Sequence, residues 1–203
     1  MREYISAETT SVFDNVFLSL GSNLGDRKMN IFSALAELSA FLNCEEMEIS
    51  PLYETQAWGN LKQPNYLNCV AKLTFKSRQK SNASTARENA HLEQFLKDMK
   101  HIEIVCGRQH SEERWSARTI DIDILLYNDI SYQSPQLTIP HPRMQDRKFV
   151  LIPLNDIASS LLLPFAGVTV EAMLENCNDQ SSVSLFNSNA KSNPDLQSNG
   201  VNG

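Results

Sequence analysis

No apolar run in these 203 residues approaches the ~20 that a membrane-spanning helix needs. Glycine is scarce, seven residues in all, and none precedes a lysine. That removes the Gly-x-x-x-x-Gly-Lys phosphate loop, and the missing Gly-x-Gly removes the dinucleotide-binding turn. Neither a Gly-x-Ser-x-Gly nucleophile elbow nor a His-Glu-x-x-His zinc helix is present. Basic residues are outnumbered, 18 against 24 acidic, for a net charge of −6, which argues against broad binding to nucleic acid or anionic membrane. The four cysteines, Cys44, Cys69, Cys106 and Cys177, form no Cys-x-x-Cys pair and read as reduced thiols. Residues 1–15 have no apolar stretch for a signal peptide and are too acidic for a transit peptide. A cytoplasmic protein is expected.

What is present, 41% hydrophobic and 21% charged, fits one globular domain that buries its core without metal or disulfide. From Ser181 to Gly203, eleven of twenty-three residues are Ser or Asn, a composition that predicts a disordered, dispensable tail. The expected organisation is an N-terminal extension over 1–15, a domain over 16–180 and the tail over 181–203. Lys76 to Ala90 reads as a surface loop or an extended helix entry.

Between these polar stretches, strand and helix patterns alternate. Val16 to Leu20 reads as a buried strand, and Asp26 to Asn43 as a helix on the spacing of Ile31, Leu35, Leu38 and Leu42. Met47 to Thr55 reads as extended around Pro51, and Leu67 to Phe75 as a half-buried strand. A second helix carries Leu92, Phe95, Leu96, Met99, Ile102 and Cys106, with Thr85 and Glu88 as a capping box and Gly107 at its C′ position. Thr119 to Tyr127 is the strongest strand, and a short helix over Val170 to Asn176 takes Thr169 as its cap. This order predicts an α+β fold: a ferredoxin-like sandwich with a mainly antiparallel central sheet and helices on both faces.

The stretch from Arg114 to Tyr127, RWSARTIDIDILLY, carries the most chemistry. Strand alternation sends Ile120, Ile122, Ile124 and Leu126 to one face and Asp121 and Asp123 to the other, about 7 Å apart. Paired carboxylates on a central strand need a cation, and Mg²⁺ takes one or two carboxylates together with substrate phosphates. Taken alone, Asp-x-Asp fits a solvated strand face better than a metal site. Five of the nine arginines, Arg108, Arg114, Arg118, Arg143 and Arg147, lie within 40 residues of one another. Their planar forks match phosphate oxygens, although surface pairing with Glu112, Glu113 and Asp146 accounts for part of the cluster. The combination points to a Mg²⁺–polyphosphate site on a scaffold other than the common ones.

With those residues in view, the chain resembles the 6-hydroxymethyl-7,8-dihydropterin pyrophosphokinases. The matching stretches are FLSLGSNLGDR (17–27), SPLYET (50–55), QPNYLN (63–68), Gly107-Arg108, residues 114–126, LTIPHPRM (137–144), Arg147 and FVL (149–151), in family order over roughly residues 16–175. The resemblance implies an ATP-dependent transferase of folate biosynthesis. It moves pyrophosphate from ATP to the pterin's hydroxymethyl group and leaves AMP.

The resemblance also assigns residues. Asp121 and Asp123 hold two Mg²⁺ ions, and with Arg108 and Arg118 form the catalytic set. ATP contacts fall on Arg108, Arg114, Trp115, Arg118, His141 and Arg147, with Trp115 on a loop that closes over the site when Mg²⁺–ATP binds. Tyr66 and Phe149 sandwich the pterin, Asn68 reads its edge, and backbone groups near Thr55 and Trp58, followed by Gly59, complete that site. The partners implied are ATP and 6-hydroxymethyl-7,8-dihydropterin, with no nucleic acid, no membrane and a monomeric chain.

Some positions depart from the family pattern. Ser116 and Ala117 replace Gly and Pro in the loop, and His110 replaces an auxiliary arginine. The segment before the second helix is about a dozen residues longer than usual. Two other functions fit fewer residues. A Mg²⁺-dependent nucleotidyltransferase also pairs Gly-Ser with Asp-x-Asp, but keeps them close, whereas Gly21-Ser22 and Asp121 are one hundred positions apart. A ferredoxin-like RNA-binding module needs a basic face and an aromatic strand that the sequence does not offer.

Overall fold

A computed structural model describes residues 13–57, 63–77, 85–109, 116–163 and 165–187. The central sheet is built from β1 (Phe13–Ser22), β2 (Cys44–Ile49), β3 (Tyr53–Thr55), β4 (Tyr66–Lys76), β5 (Asp121–Tyr127) and β10 (Val183–Leu185). Its order is β10-β3-β4-β1-β5, with β2 also on β4, and every pairing is antiparallel. Helices α1 (Arg27–Leu42) and α2 (Thr85–Val105) cover one face, and α3 (Lys148–Ala158) and α4 (Val170–Glu175) the other. Two small hairpins complete it: β6 (Tyr132–Gln133) with β7 (Thr138–Ile139), and β8 (Leu162–Leu163) with β9 (Val168–Thr169). Among the described residues no helix is long and apolar enough to cross a membrane.

Local chemistry accounts for most boundaries. Asp26 accepts a hydrogen bond from Met29 N at 3.0 Å and starts α1, and Asn43, at φ +49°, ends it in the left-handed conformation. One stripe of α1, Ile31, Ala34, Leu35, Leu38 and Leu42, is buried against the sheet. Gly107 closes α2 at φ +88°, a conformation that would strain any side chain with a Cβ. The extended segment around Pro51 is two strands. Ser50 bridges the break, its N–H donating to Val70 O and its hydroxyl accepting from Val70 N. Thr169 caps α4 by accepting from Ala172 N.

Four expectations change. Strand β1 starts at Phe13, inside the predicted extension, with Phe13 paired to Lys76. Along β5 a bulge opposite Phe17 and Leu18 breaks the alternation. Leu126 therefore packs toward α3 and α4, away from the face of Ile120, Ile122 and Ile124. Helix α3 is absent from the sequence reading because Pro153 interrupts its pattern. Proline removes a helix hydrogen bond at a cost of about 3 kcal/mol. Burial of Val150, Leu151, Pro153 and Leu154 offsets that cost. Finally, the predicted disordered tail is ordered over its first residues. Val183, Ser184 and Leu185 pair with Thr55, Glu54 and Tyr53, and the domain runs past residue 180. Residues 1–12 and 188–203 lie outside the described residues, as do 78–84 of the expected loop, whose last residues form the first turn of α2.

Candidate active site

Register between β4, β1 and β5 lays the floor of one cavity. Gly21 of β1 pairs with Asn68 of β4 on one side and with Asp121 of β5 on the other, and Ser19 pairs with Asp123. All five residues line a cavity of about 360 Å³ on the α3 side of the sheet. Neighbouring strands lie about 4.8 Å apart, so Asn68 and Asp121 stand roughly 10 Å apart across a residue that has no side chain. A Cβ on Gly21 would sit 2.9 Å from Asn68 Oδ1. Gly21→Ala is therefore expected to displace the Asn68 amide and weaken binding of any ligand that Asn68 reads by at least about tenfold. Titration of the folded variant checks this, and unchanged affinity would remove Asn68 from the binding site.

One end of the cavity is uncharged and partly aromatic. Asn68 and Thr55 are both buried, and Asn68 Nδ2 donates to Thr55 Oγ1 at 2.8 Å. That bond fixes the amide and leaves its oxygen toward Gly21. Tyr66, Phe149, Gln56 and Gln63 complete this end. Tyr66 opens β4, and Phe149 lies in the first turn of α3, where the Arg147 guanidinium stands 5.4 Å from its ring centroid.

The other end is cationic. Lys100, Arg108, Arg118, Arg143, Arg147 and His141 line it with Asp121 and Asp123, a local positive excess in a chain of net charge −6. Asp121 Oδ1 accepts from Arg108 at 2.7 Å and from Arg118 at 2.9 Å. Burial works against its charge, but Arg118, Lys100 and Arg108 outweigh it and hold the carboxyl below its ordinary value. Asp123 makes no side-chain hydrogen bond or ion pair among the described residues. Burial also pushes the His141 imidazole down; Asp123 opposes this, while Arg147 and Arg143 add to it. His141 is thus neutral near pH 7. Its Nδ1 accepts from Arg143 N at 3.2 Å, which leaves the proton on Nε2 as a donor for an anionic oxygen.

Two further residues hold this end in place. Glu103 of α2, 1% exposed, accepts from Ile122 N at 2.7 Å, Lys100 Nζ at 2.7 Å and Arg108 Nη1 at 2.6 Å. Strand β5 is an edge of the sheet, and this carboxylate takes the place of a missing neighbour strand. Burial pushes its carboxyl up, yet three donors face it, and only the ionised form accepts from all of them. Asn23, also buried, accepts from Arg118 N at 2.7 Å, and its own amide donates to Gln63 Oε1 at 3.2 Å. It fastens Arg118 to the segment that leads into Tyr66. A glutamate on a helix carries no signal in one sequence; only its contacts reveal Glu103.

The expected site residues Thr55, Tyr66, Asn68, Arg108, Arg118, Asp121, Asp123, His141, Arg147 and Phe149 meet in this one cavity. Lys100, Arg143, Gln56, Gln63, Ser19 and Gly21 join them. Trp58, Gly59, His110, Arg114 and Trp115 lie outside the described residues.

Among the described residues no cluster of three or more His, Cys, Asp or Glu side chains is arranged to hold a metal alone. The donors present are two carboxylates on one strand face, Asp123 without a hydrogen-bonding partner among the described residues, beside cations suited to phosphate. That set fits Mg²⁺ carried in with a polyphosphate, which shares its coordination between one or two carboxylates, substrate oxygens and water.

Comparison with known proteins identifies the family. The family model of 7,8-dihydro-6-hydroxymethylpterin-pyrophosphokinase (HPPK) matches residues 17–159. The 2-amino-4-hydroxy-6-hydroxymethyldihydropteridine pyrophosphokinase of Aquifex aeolicus is 37% identical over 149 residues, 73% of this chain and 83% of that one. The Haemophilus influenzae protein of the same name is 35% identical over 76% of this chain and 88% of its own. The folic acid synthesis protein fol1 of Pneumocystis carinii is 33% identical over 87% of this chain but only 22% of its own length. In overall shape the chain is similar to a crystal structure of Plasmodium falciparum HPPK-DHPS, with a TM-score of 0.56 at 14% identity. It covers 82% of this chain and 44% of that one, so the likeness concerns the fold of less than half of the larger protein. With 143 consecutive residues matched from β1 to the end of α3, the chain belongs to the 7,8-dihydro-6-hydroxymethylpterin-pyrophosphokinase family.

Proposed function

We propose that the cavity between Asn68 and Arg147 is where this chain performs its family's reaction, with the residue roles that follow. The enzyme transfers pyrophosphate from ATP to 6-hydroxymethyl-7,8-dihydropterin in folate biosynthesis, giving AMP and the pterin diphosphate. One observation carries the assignment: Asn68 and Asp121 lie in the same cross-strand row, with Gly21 between them. The row sets a hydrogen-bonding amide for a heterocycle and a charged site for polyphosphate two strand spacings apart, over a floor without a side chain.

In this reading Tyr66 and Phe149 stack on the pterin, the Asn68 amide pairs with its edge, and backbone groups near Thr55 and Trp58 complete the pocket. Arg108, Arg118, Arg147 and His141 bind the phosphates, with Arg114 and Trp115 closing from the adjoining loop. Asp121 and Asp123 are the ligands for Mg²⁺, two ions as the family resemblance implies. Bound there with ATP, the metal supplies charge neutralisation and in-line orientation of the transferred group. Arg108 and Arg118, now paired with Asp121, are close enough to turn toward phosphate oxygens as those arrive. The protein's contribution is chiefly positioning: it holds the pterin hydroxymethyl and the β-phosphorus within reacting distance and excludes water.

The wider reading is a ferredoxin-like core of β1, α1, β2/β3, β4, α2 and β5, supported by the antiparallel order β3-β4-β1-β5. The catalytic unit extends to at least Phe186, whose N–H donates to Leu52 O. A monomer is taken as the working form, and the four free cysteines support a reducing cytoplasm. Neither nucleic acid nor membrane enters this reading. Product analysis with ATP, Mg²⁺ and 6-hydroxymethyl-7,8-dihydropterin is the test. AMP and the pterin diphosphate are expected in equal amounts. Release of inorganic pyrophosphate with a nucleotidylated product would establish a nucleotidyltransferase instead.

A further inference from the structure

Residues 179–186, which composition assigns to the end of the domain and the start of a loose tail, touch both elements that frame the pterin end of the cavity. Asp179 Oδ2 accepts from Lys148 N, the first residue of α3, at 2.9 Å. Arg147, the residue at the N-cap of α3, makes no capping bond with its own side chain, so Asp179 caps the helix from 31 positions away. Asp179 also accepts from Ser181 N and Ser181 Oγ, both at 2.8 Å, which turns the chain toward the sheet. From there β10 runs along β3, pairing Val183 with Thr55, and Phe186 N donates to Leu52 O at 2.8 Å.

Lys148 precedes Phe149, and Thr55 holds the Asn68 amide. One short segment thus fixes the turn that carries the proposed stacking ring and the strand that carries the partner of the proposed edge-reading amide. Strand β3 has only three residues, and without β10 it would be an edge with unpaired backbone groups.

We infer that Asp179 is a positioning residue for the pterin site, acting with β10 to clamp the first turn of α3 and strand β3 around the pterin. This rests on the reading of Phe149, Asn68 and Thr55 as the pterin end. Burial works against the Asp179 charge, but the bonds from Ser181 and Lys148 outweigh it and hold the carboxyl below its ordinary value, so the cap is charged at neutral pH. The clamp acts on pterin more than on ATP. Phe149 must stack as a rigid ring at a set height, whereas the long side chain of Arg147 absorbs a small shift of the same turn.

The test uses the full chain with Asp179→Ala, Asp179→Asn and Ser184→Pro, the last removing a backbone donor from the middle of β10. Pterin dissociation constants are measured by calorimetry with a non-hydrolysable ATP analogue and Mg²⁺, alongside ATP KM and Tm. Asp179→Ala and Ser184→Pro are expected to weaken pterin binding roughly five- to tenfold while ATP KM stays within about twofold. Asp179→Asn, which keeps one acceptor oxygen and folds most readily, should fall between Asp179→Ala and the parent. Unchanged pterin affinity, or equal losses for pterin and ATP, would overturn the clamp. Phe149→Ala is run in parallel. If it leaves pterin affinity unchanged, the assignment of the pterin site fails; if it weakens binding while the Asp179 variants do not, the clamp alone fails.

Discussion

Asp123→Ala is expected to lower kcat by about 10³-fold or more while shifting Tm by no more than about 4 °C. The two halves of this expectation have separate causes. Asp123 makes no hydrogen bond or ion pair among the described residues, so its removal costs the fold only the longer-range attraction to Arg118, His141 and Arg147. Its carboxylate faces the cavity among Arg118, His141 and Arg147, where a polyphosphate with its metal would bind. Losing a metal ligand there removes several kcal/mol of charge stabilisation in the transition state. Asp123→Asn, equal in size but uncharged, should behave similarly. Near-normal turnover in a well-folded Asp123→Ala protein would sink the proposed centre. Asp121 is the poorer probe, because Arg108 and Arg118 both bond to it and its loss disturbs them directly.

The largest effect on stability is expected at Glu103. Glu103→Ala leaves the Ile122 N–H without its partner and strands Arg108 and Lys100 beside an apolar hole. Removing one member of a buried charged network costs about 3–5 kcal/mol, enough to lower Tm by about 10 °C. Glu103→Gln keeps an acceptor for Ile122 N but turns an NH₂ toward a cation, so it should lose less stability. It should also raise ATP KM, because Arg108 no longer has its anchor. Thermal melts of the two variants with ATP titrations test this. A Glu103→Ala protein that melts within about 2 °C of the parent would show that β5 and Arg108 are held by something else.

Much of the candidate site was legible without coordinates, and the reason is strand parity. Asp121 and Asp123 are two residues apart, so any strand through them puts both on one face. The arginines that meet them are near in sequence or follow a short hairpin. The bulge on β5 lies beyond Asp123, at Phe17 and Leu18 of the partner strand, so it misplaces Leu126 and leaves the carboxylate pair untouched. A bulge between Asp121 and Asp123 would have sent the two carboxylates to opposite faces, and simple alternation would then have misread the pair. The pterin residues were a different matter. Tyr66, Asn68 and Phe149 came from resemblance, since an aromatic or an amide at a strand or helix start looks the same whether it packs a core or a ligand.

By itself, the sequence determined the features that depend on neighbours within a few positions. Those include the helical stretch between Asp26 and Asn43, the stop of α2 at Gly107, and the common face of Leu67, Cys69, Ala71, Leu73 and Phe75 on β4. Such features rest on turn chemistry and side-chain periodicity, which act over one or two turns of chain. Tertiary structure alone decided the rest: the pairing of Gly21 between Asn68 and Asp121, the burial of Glu103 against the open edge of β5, α3 in spite of Pro153, and β10 closing onto β3. Each of these satisfies a backbone group or buries a surface supplied by a distant segment. The free energy that selects them belongs to the contact, and neither partner carries it until the chain has folded.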